Sequence, residues 1–136
     1  MATFSAEEKA AMRAAVAEKK AAQEGADSAA ACDDAIAKMT GTDKQLAQAF
    51  HQLVKDNTSL APKTWYGMPA YTDGEGKVVV AFKPGSKFKI RYASIEFQQA
   101  AKLDDGNVWP VSWALSKLDD ADKERIAGIL KAATAS

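Results

Sequence analysis

The sequence predicts an α+β fold, in which a small antiparallel sheet of about four strands packs against helices as a two-layer sandwich and N-terminal helices precede the sheet. Two observations predict it. Apolar residues recur at helical spacing up to residue 57 and again after residue 119, whereas between residues 77 and 92 they alternate with basic residues at a period of two. Gly, Pro and Asp at turn positions separate the alternating runs. A length of 136 residues fits a single domain, 1–136.

Three helices are expected before the sheet. Ser5, followed by Glu8, has the pattern of a capped helix start, and Gly25 predicts the end of this first helix. The second helix is expected within 27–41 and the third within 43–57, where Asp43 is the predicted cap. Their apolar faces are Ala29, Cys32, Ile36 and Met39 in the second helix, and Leu46, Phe50, Leu53 and Val54 in the third.

Three antiparallel strands joined by two hairpins are expected between residues 64 and 93, and a fourth at 108–115, where Pro110 favours an edge or an end. Asp119 or Asp120 is the predicted cap of a last helix. This helix and the third one have the apolar stripes needed to cover one face of the sheet. The alternating strand residues on that face are Val78, Val80, Phe82, Phe88, Ile90 and Tyr92.

Three stretches resemble the YdhG-like domain family, a group of small bacterial proteins of unknown function. They are 65–71 (Trp-Tyr-Gly-Met-Pro-Ala-Tyr) with 76–79 (Gly-Lys-Val-Val), then 87–93 (Lys-Phe-Lys-Ile-Arg-Tyr-Ala), then 103–110 (Leu-Asp-Asp-Gly-Asn-Val-Trp-Pro). The similarity covers roughly 43–133, which makes 43–133 the core of a YdhG-like domain and 1–42 an N-terminal helical extension. The resemblance implies an α+β fold with an antiparallel sheet and no established reaction. Some members of the family are labelled frataxin-like iron chaperones.

An aromatic and methionine group is the candidate binding site. Tyr and Trp combine a large apolar body with a polar tip, which suits the wall of a pocket between sheet and helices. The same side chains also suit core and corner positions, where their polar tips bond the backbone, and both interpretations stay open. The group consists of Trp65, Tyr66, Met68, Tyr71, Tyr92, Trp109 and Trp113.

Asp104 and Asp105 are the candidate metal ligands, because adjacent carboxylates in a turn place several oxygens close together. The alternative is that Asp-Asp-Gly-Asn is only a turn. No cofactor is expected from the residues themselves, and the family resemblance alone adds iron as a candidate. Acidic-surface binding of the frataxin type adds the helix acids Glu7, Glu8, Asp33 and Asp34 as further candidates.

His51 is the single histidine and Cys32 the single cysteine. His51 lies beside the apolar stripe of its helix, so it is expected to border the core, and a catalytic role would need a carboxylate that the sequence does not identify. Cys32 lies on an apolar face without a basic neighbour, which predicts a buried, inert thiol. No nucleophile and base pair can be identified from spacing, so an enzyme is the less favoured class.

The charges balance overall, with seven basic and three acidic side chains between residues 61 and 102 and an acidic excess on either side. Because the predicted strands place the aromatic rings on the core side, away from the basic row, we expect no nucleic-acid partner. The N-terminal residues lack a signal-peptide pattern and no apolar run approaches membrane-spanning length, so a cytoplasmic protein is expected. The expected function is non-enzymatic binding of a small ligand or protein partner, by a monomer or a homodimer; the alternative is frataxin-like iron delivery.

Overall fold

The computed structural model describes residues 5–135. Within that range the chain forms three α-helices, five strands and one short 3₁₀ turn, which confirms the α+β prediction with five strands rather than about four. The elements are α1 (Ala6–Ala37), α2 (Gly41–Asn57), β1 (Ala61–Trp65), β2 (Met68–Thr72), β3 (Val78–Lys83), the 3₁₀ turn (Ser86–Phe88), β4 (Ala93–Phe97), β5 (Ser112–Leu115) and α3 (Asp120–Ala133).

The five strands form one antiparallel sheet in the order β1-β2-β3-β4-β5, so every strand pairs with its neighbour in the sequence. Side chains alternate between the two faces along each strand. The pairing therefore aligns Pro62, Tyr71, Val80 and Phe97 in one row across the sheet. We call the face that carries this row the helix face, and the opposite face, which carries Trp65, the open face.

The hydrophobic core lies between the helix face and the three helices. Leu46, Phe50 and Val54 of α2 and Ile126 and Leu130 of α3 are buried there, which confirms the predicted cover of the sheet. The C-terminal half of α1 joins them. The core side chains of α1 and of the strands on this side are Cys32, Ile36, Tyr71, Val80, Phe82, Ala93, Ile95, Phe97 and Leu115.

The prediction of two helices separated at Gly25 is wrong, because α1 runs without a break from Ala6 to Ala37. Gly25 is a weak helix former, but no contact forces a special backbone conformation on it, since a Cβ at this position would meet nothing within 4 Å. In addition, α1 contains no proline after Gly25 that would end the helix. The Ala-rich sequence on both sides has strong helix propensity and carries the helix through. Ser5 caps α1 as predicted, accepting a hydrogen bond from the Glu8 amide at 3.1 Å.

The N-terminal half of α1 has no packing partner within the described residues. Every residue from 5 to 27 is exposed, and the first buried side chain is Cys32. At 1.5 Å per residue this exposed part is roughly 33 Å long. No helix within 5–135 is both long enough and apolar enough to cross a bilayer.

Helix α2 begins at Gly41 with Thr40 as its cap, so the prediction that Asp43 caps it is wrong. The Asp43 carboxylate instead bonds the segment after β3: it accepts hydrogen bonds from the amides of Gly85 and Ser86, both at 3.1 Å, and from the Ser86 hydroxyl. Asp119 caps α3 as predicted, with Asp122 completing a capping box.

The predicted strand through Phe88, Ile90 and Tyr92 is wrong. Gly85 starts a tight turn, and its carbonyl accepts from the amides of Phe88 at 3.2 Å and Ile90 at 2.9 Å. Lys89 then adopts a left-handed φ of 56°, which breaks any extended run. The strand begins only at Ala93, so Phe88, Ile90 and Tyr92 lie outside the sheet.

Two further strand boundaries differ from the prediction. An additional strand, β1, covers 61–65. Strand β5 covers only 112–115, so Pro110 lies outside the strand pairing. Tyr66 and Gly67 join β1 to β2 in a two-residue turn with φ values of 52° and 76°. Positive φ at both central residues is what a type I′ hairpin requires, and Gly67 meets that requirement without strain.

Candidate functional site

The clearest polar assembly in the molecule joins α1, α2 and β2. The Tyr71 hydroxyl lies 3.0 Å from Nδ1 of His51, and the other ring nitrogen, Nε2, lies 3.7 Å from Oδ1 of Asp33. Three elements thus meet at one imidazole. His51, for which the sequence identifies no acid partner, has one in the structure.

The core places these three side chains. Asp33 follows buried Cys32 and His51 follows buried Phe50, so both polar residues lie just beside the apolar stripes of their helices. Tyr71 lies on the helix face, with its ring edge-on to Phe50 at 5.7 Å and tilted against His51 at 5.7 Å. Packing fixes the phenol ring, and its hydroxyl reaches the boundary of the core.

This assembly borders a cleft of about 330 Å³, which we call the Tyr71 cleft. Its size is at the lower end of small-molecule sites. The wall is apolar at Val54, Leu60 and Pro62 and polar at the rim. The residues that line it are Ala29, Asp33, His51, Val54, Lys55, Thr58, Ser59, Leu60, Pro62 and Tyr71.

Burial fixes the protonation of the two inner groups. Desolvation raises the pKa of Tyr71 far above its ordinary value, and the neighbouring Cys32 and Asp33 raise it further. Desolvation also raises the pKa of the Cys32 thiol to about 11, although its hydrogen bond to Tyr71 opposes that rise. Both groups are therefore neutral and protonated at pH 7.

The neighbours of His51 favour one tautomer of its neutral ring. The protonated Tyr71 hydroxyl can donate to Nδ1 or accept from it, whereas the ionised Asp33 carboxylate, 3.7 Å from Nε2, can only accept, so the ring proton is best placed on Nε2. Nε2–H then points toward Asp33 at the mouth of the Tyr71 cleft. The site offers a donor and a carboxylate acceptor side by side, which is the pattern needed to orient a small polar group.

Cys32 does not supply a nucleophile to this site. Its side chain is fully buried and its thiol is protonated, so it is neither accessible nor activated. The prediction of a buried cysteine is confirmed. Thr58 and Ser59 bring hydroxyl groups to the same cleft, but the His51 ring contacts Tyr71 and Asp33 and is hydrogen-bonded to neither hydroxyl.

The structure does not bring the seven predicted aromatic and methionine residues together. Trp65 lies on edge strand β1 and Trp113 on edge strand β5, on opposite faces of the sheet and four strand spacings apart, about 19 Å. Trp113 packs edge-on against Phe97 at 5.4 Å. Tyr71, Tyr92 and Trp113 line three different cavities.

The remaining members of the group are solvent-facing or partly so. Met68 pairs with Trp65 on the open face, Tyr66 is 80% exposed in the hairpin turn, and Trp109 lies partly exposed in the segment between β4 and β5. Neither Trp65 nor Trp109 lines any of these cavities. Of the seven predicted residues, Tyr71 alone lies in the Tyr71 cleft.

Asp104 and Asp105 lie exposed ahead of Gly106, whose φ of 67° marks a turn. Glu7 and Glu8 are exposed in the first turn of α1, and Asp34 pairs with Lys38 at 2.8 Å. Among residues 5–135 no group of three or more His, Cys, Asp or Glu side chains is placed to hold a metal ion. Metal binding therefore stays a prediction.

Comparison of the chain with protein-family models, with curated proteins and with solved structures finds no match in any of the three. The resemblance to the YdhG-like family accordingly stays an expectation that rests on residues 65–71, 76–79, 87–93 and 103–110.

Proposed function

We propose that this protein is a non-enzymatic binding module that holds a small polar or amphipathic molecule in the Tyr71 cleft. The observation that supports the proposal is the hydrogen-bonded pair of His51 and Tyr71, with Asp33 on the free side of the imidazole, at the mouth of an apolar-walled cavity. A polar head group would bond Nε2–H and the Asp33 carboxylate, and an apolar body would contact Val54, Leu60 and Pro62.

Burial supports preorganisation of this site. Tyr71 is almost fully buried and the His51 side chain is 23% exposed, so neither ring has to be ordered when a ligand arrives. Preorganised groups reduce the entropic cost of binding. We propose that the module works in a reducing cytoplasm, where Cys32 stays a free thiol, and as a monomer or a homodimer.

Thermal-shift screening against a metabolite library tests the proposal. The three tryptophans lie outside the Tyr71 cleft, so intrinsic tryptophan fluorescence is not expected to report binding there. A true ligand should raise the melting temperature of the wild type and should lose most of that effect with Asp33→Asn or His51→Gln. Asp104→Asn is the matched control, because it also removes one carboxylate, and Asp104 is exposed and does not line the Tyr71 cleft. A ligand that stabilises all four proteins equally would place binding elsewhere.

Iron delivery is the second candidate function, and one observation favours a location for it. Asp33 Oδ1 and His51 Nε2 lie 3.7 Å apart, close to the separation of two ligands that share one ion with bonds of about 2.1 Å. Nε2 would bind the ion in the tautomer that carries the ring proton on Nδ1, which can donate to the Tyr71 oxygen. These two donors would leave most coordination positions to water or a delivery partner. Anaerobic calorimetric titration with ferrous iron distinguishes the sites. Asp33→Asn should weaken binding while Asp104→Ala with Asp105→Ala leaves it unchanged; the opposite result assigns iron to the turn.

A further inference from the structure

A second surface of the molecule combines exposed aromatic rings with unopposed positive charge. It consists of residues 83–92, which connect β3 to β4, and the adjoining β1–β2 turn at Tyr66. We call it the basic aromatic surface. Because 87–92 is not a strand, its rings do not face the core as the sequence pattern predicts. Phe88 is 40% exposed, Tyr92 36% and Tyr66 80%.

The charge on this surface has one sign. Residues 83–92 contain four basic side chains and no acidic one. Three acids approach it. The oxygens of Asp43 are occupied by Gly85 and Ser86, Glu96 lies 4.0 Å from Lys83, and Asp34, which lines the same cavity as Lys87, pairs with Lys38 at 2.8 Å. Among residues 5–135, the cations of this surface that form no salt bridge are Lys87, Lys89 and Arg91.

The cations lie next to the rings. Nζ of Lys83 lies 4.9 Å and Nζ of Lys87 5.7 Å from the Phe88 ring centre, and the Arg91 guanidinium lies 5.2 Å from that of Tyr92. Lys87 also donates to the Tyr66 carbonyl at 3.3 Å, which ties the hairpin turn to the 83–92 segment. These contacts join Lys83, Lys87, Phe88 and the Tyr66 turn into one patch, and Arg91 with Tyr92 forms a second pair of cation and ring on the same 83–92 segment.

Two backbone features hold this surface in an uncommon conformation. Tyr66 has a φ of 52° and Lys89 a φ of 56°, values that side chains other than Gly, Asn and Asp rarely adopt. An Asn in place of Tyr66 would suit the turn better. A large aromatic ring at this strained position, 80% in solvent, points to a use for the ring itself.

We propose that the basic aromatic surface binds single-stranded nucleic acid, with phosphates contacting Lys87, Lys89 and Arg91 and bases stacking on Tyr66, Phe88 and Tyr92. Single strands offer regularly spaced phosphates and free base faces, which match cations interleaved with exposed rings. An acidic peptide would satisfy the charges and leave the rings unused. This site is separate from the Tyr71 cleft and does not depend on the function proposed for it.

Anisotropy of a fluorescein-labelled single-stranded 12-mer, as DNA and as RNA, tests the proposal with the full chain. Lys87→Gln, Lys89→Gln and Arg91→Gln together should weaken binding about tenfold or more and reduce the magnitude of the log–log salt slope by about 2. The matched control is Lys9→Gln, Arg13→Gln and Lys20→Gln on the exposed part of α1, which removes the same charge. An equal loss of affinity in the two triple variants would mean that binding depends only on the net charge of the protein, and this result would overturn the proposal.

Removing the rings separates stacking from charge. Tyr66→Asn with Phe88→Leu should weaken binding by about tenfold while leaving the salt slope unchanged, because no cation is lost. Circular dichroism of each variant checks that the fold is retained. Three other results also overturn the proposal: full affinity in the ring variant, tighter binding of poly-glutamate or duplex DNA than of the single strand, and a wild-type Kd weaker than roughly 100 µM at low salt.

Discussion

Tyr71 connects the core to the proposed site. Its ring packs edge-on against Phe50, while its hydroxyl bonds His51 at 3.0 Å. The sequence identifies Tyr71 as a candidate from its residue type, but it does not identify Asp33 and His51 as its neighbours, which lie 38 and 20 positions away. One feature of the sequence could have identified Asp33 and His51: each directly follows a side chain of an apolar helix stripe, Cys32 and Phe50, and therefore lies at the edge of the core.

Tyr71→Phe should lower the free energy of unfolding by about 1 kcal/mol, because the ring still packs while Nδ1 of His51 loses its hydrogen bond. Urea denaturation measures the change. Tyr66→Phe is the matched control and should have no effect, since the Tyr66 side chain is largely in solvent. Equal values for the two variants would mean that the Tyr71 hydroxyl makes no net contribution to stability.

Asp43 gives a pH-dependent prediction. Burial raises the pKa of its carboxyl, but hydrogen bonds from Ser86 and Gly85 outweigh burial and the net pKa is lowered. A depressed folded-state pKa adds stability that is present above the unfolded value of about 3.9 and lost as pH falls through the folded value. Asp43→Asn should therefore cost roughly 1 kcal/mol at pH 7 and little at pH 2.

Chemical denaturation across that pH range, with Asp105→Asn as the exposed-carboxylate control, checks the Asp43 prediction. Amide exchange adds a local measurement, because release of Gly85 and Ser86 should speed exchange in 86–92. A constant difference between wild type and Asp43→Asn from pH 7 to pH 2 would contradict the assignment.

At the scale of elements, α1 and the 83–92 segment show where residue patterns mislead. Gly25 has the residue type of a helix end, yet the Ala-rich sequence on both sides maintains the helix. Phe88, Ile90 and Tyr92 alternate as strand residues do, yet hydrogen bonds to the Gly85 carbonyl form a turn. In both cases context outside the repeating pattern decides the structure.

Gly25→Ala should increase the helicity of the exposed part of α1, because Ala is favoured over Gly by about 1 kcal/mol inside a helix. Ellipticity at 222 nm and slower amide exchange in 10–24 measure the gain. Gly128→Ala in α3 is the control. Because α3 packs in the core, this change should raise the global free energy of unfolding as well as helicity. No gain in helicity for Gly25→Ala would indicate that the helix breaks there.

At the scale of the whole molecule, the sequence predicts the fold class, the helix cover of the sheet and the α3 cap, because each follows from a local and repeated signal. It does not predict the Tyr71 cleft or the dispersal of the aromatic group, because these depend on which strands are neighbours. Trp65 and Trp113 look equivalent as strand aromatics, but the strand order places them at opposite edges.

The exposed part of α1 contributes no buried side chain to the core, so a chain that begins at Gly25 should keep its free energy of unfolding within about 0.5 kcal/mol. Guanidinium denaturation measures this. A chain that begins at Lys38 loses Cys32 and Ile36 and should no longer unfold cooperatively. Equal destabilisation of both truncated chains would contradict the division of α1 into an exposed half and a packed half.

The most direct test of the central claim uses the single histidine as a reporter. Long-range proton–nitrogen NMR of the His51 ring at pH 8 should show the Nε2–H tautomer, with Nδ1 accepting from Tyr71, and both ring nitrogens should shift when a ligand from the thermal screen is added. An Nδ1–H tautomer, together with ring signals that stay fixed while that ligand binds, would contradict the claim that the Tyr71 cleft is the binding site.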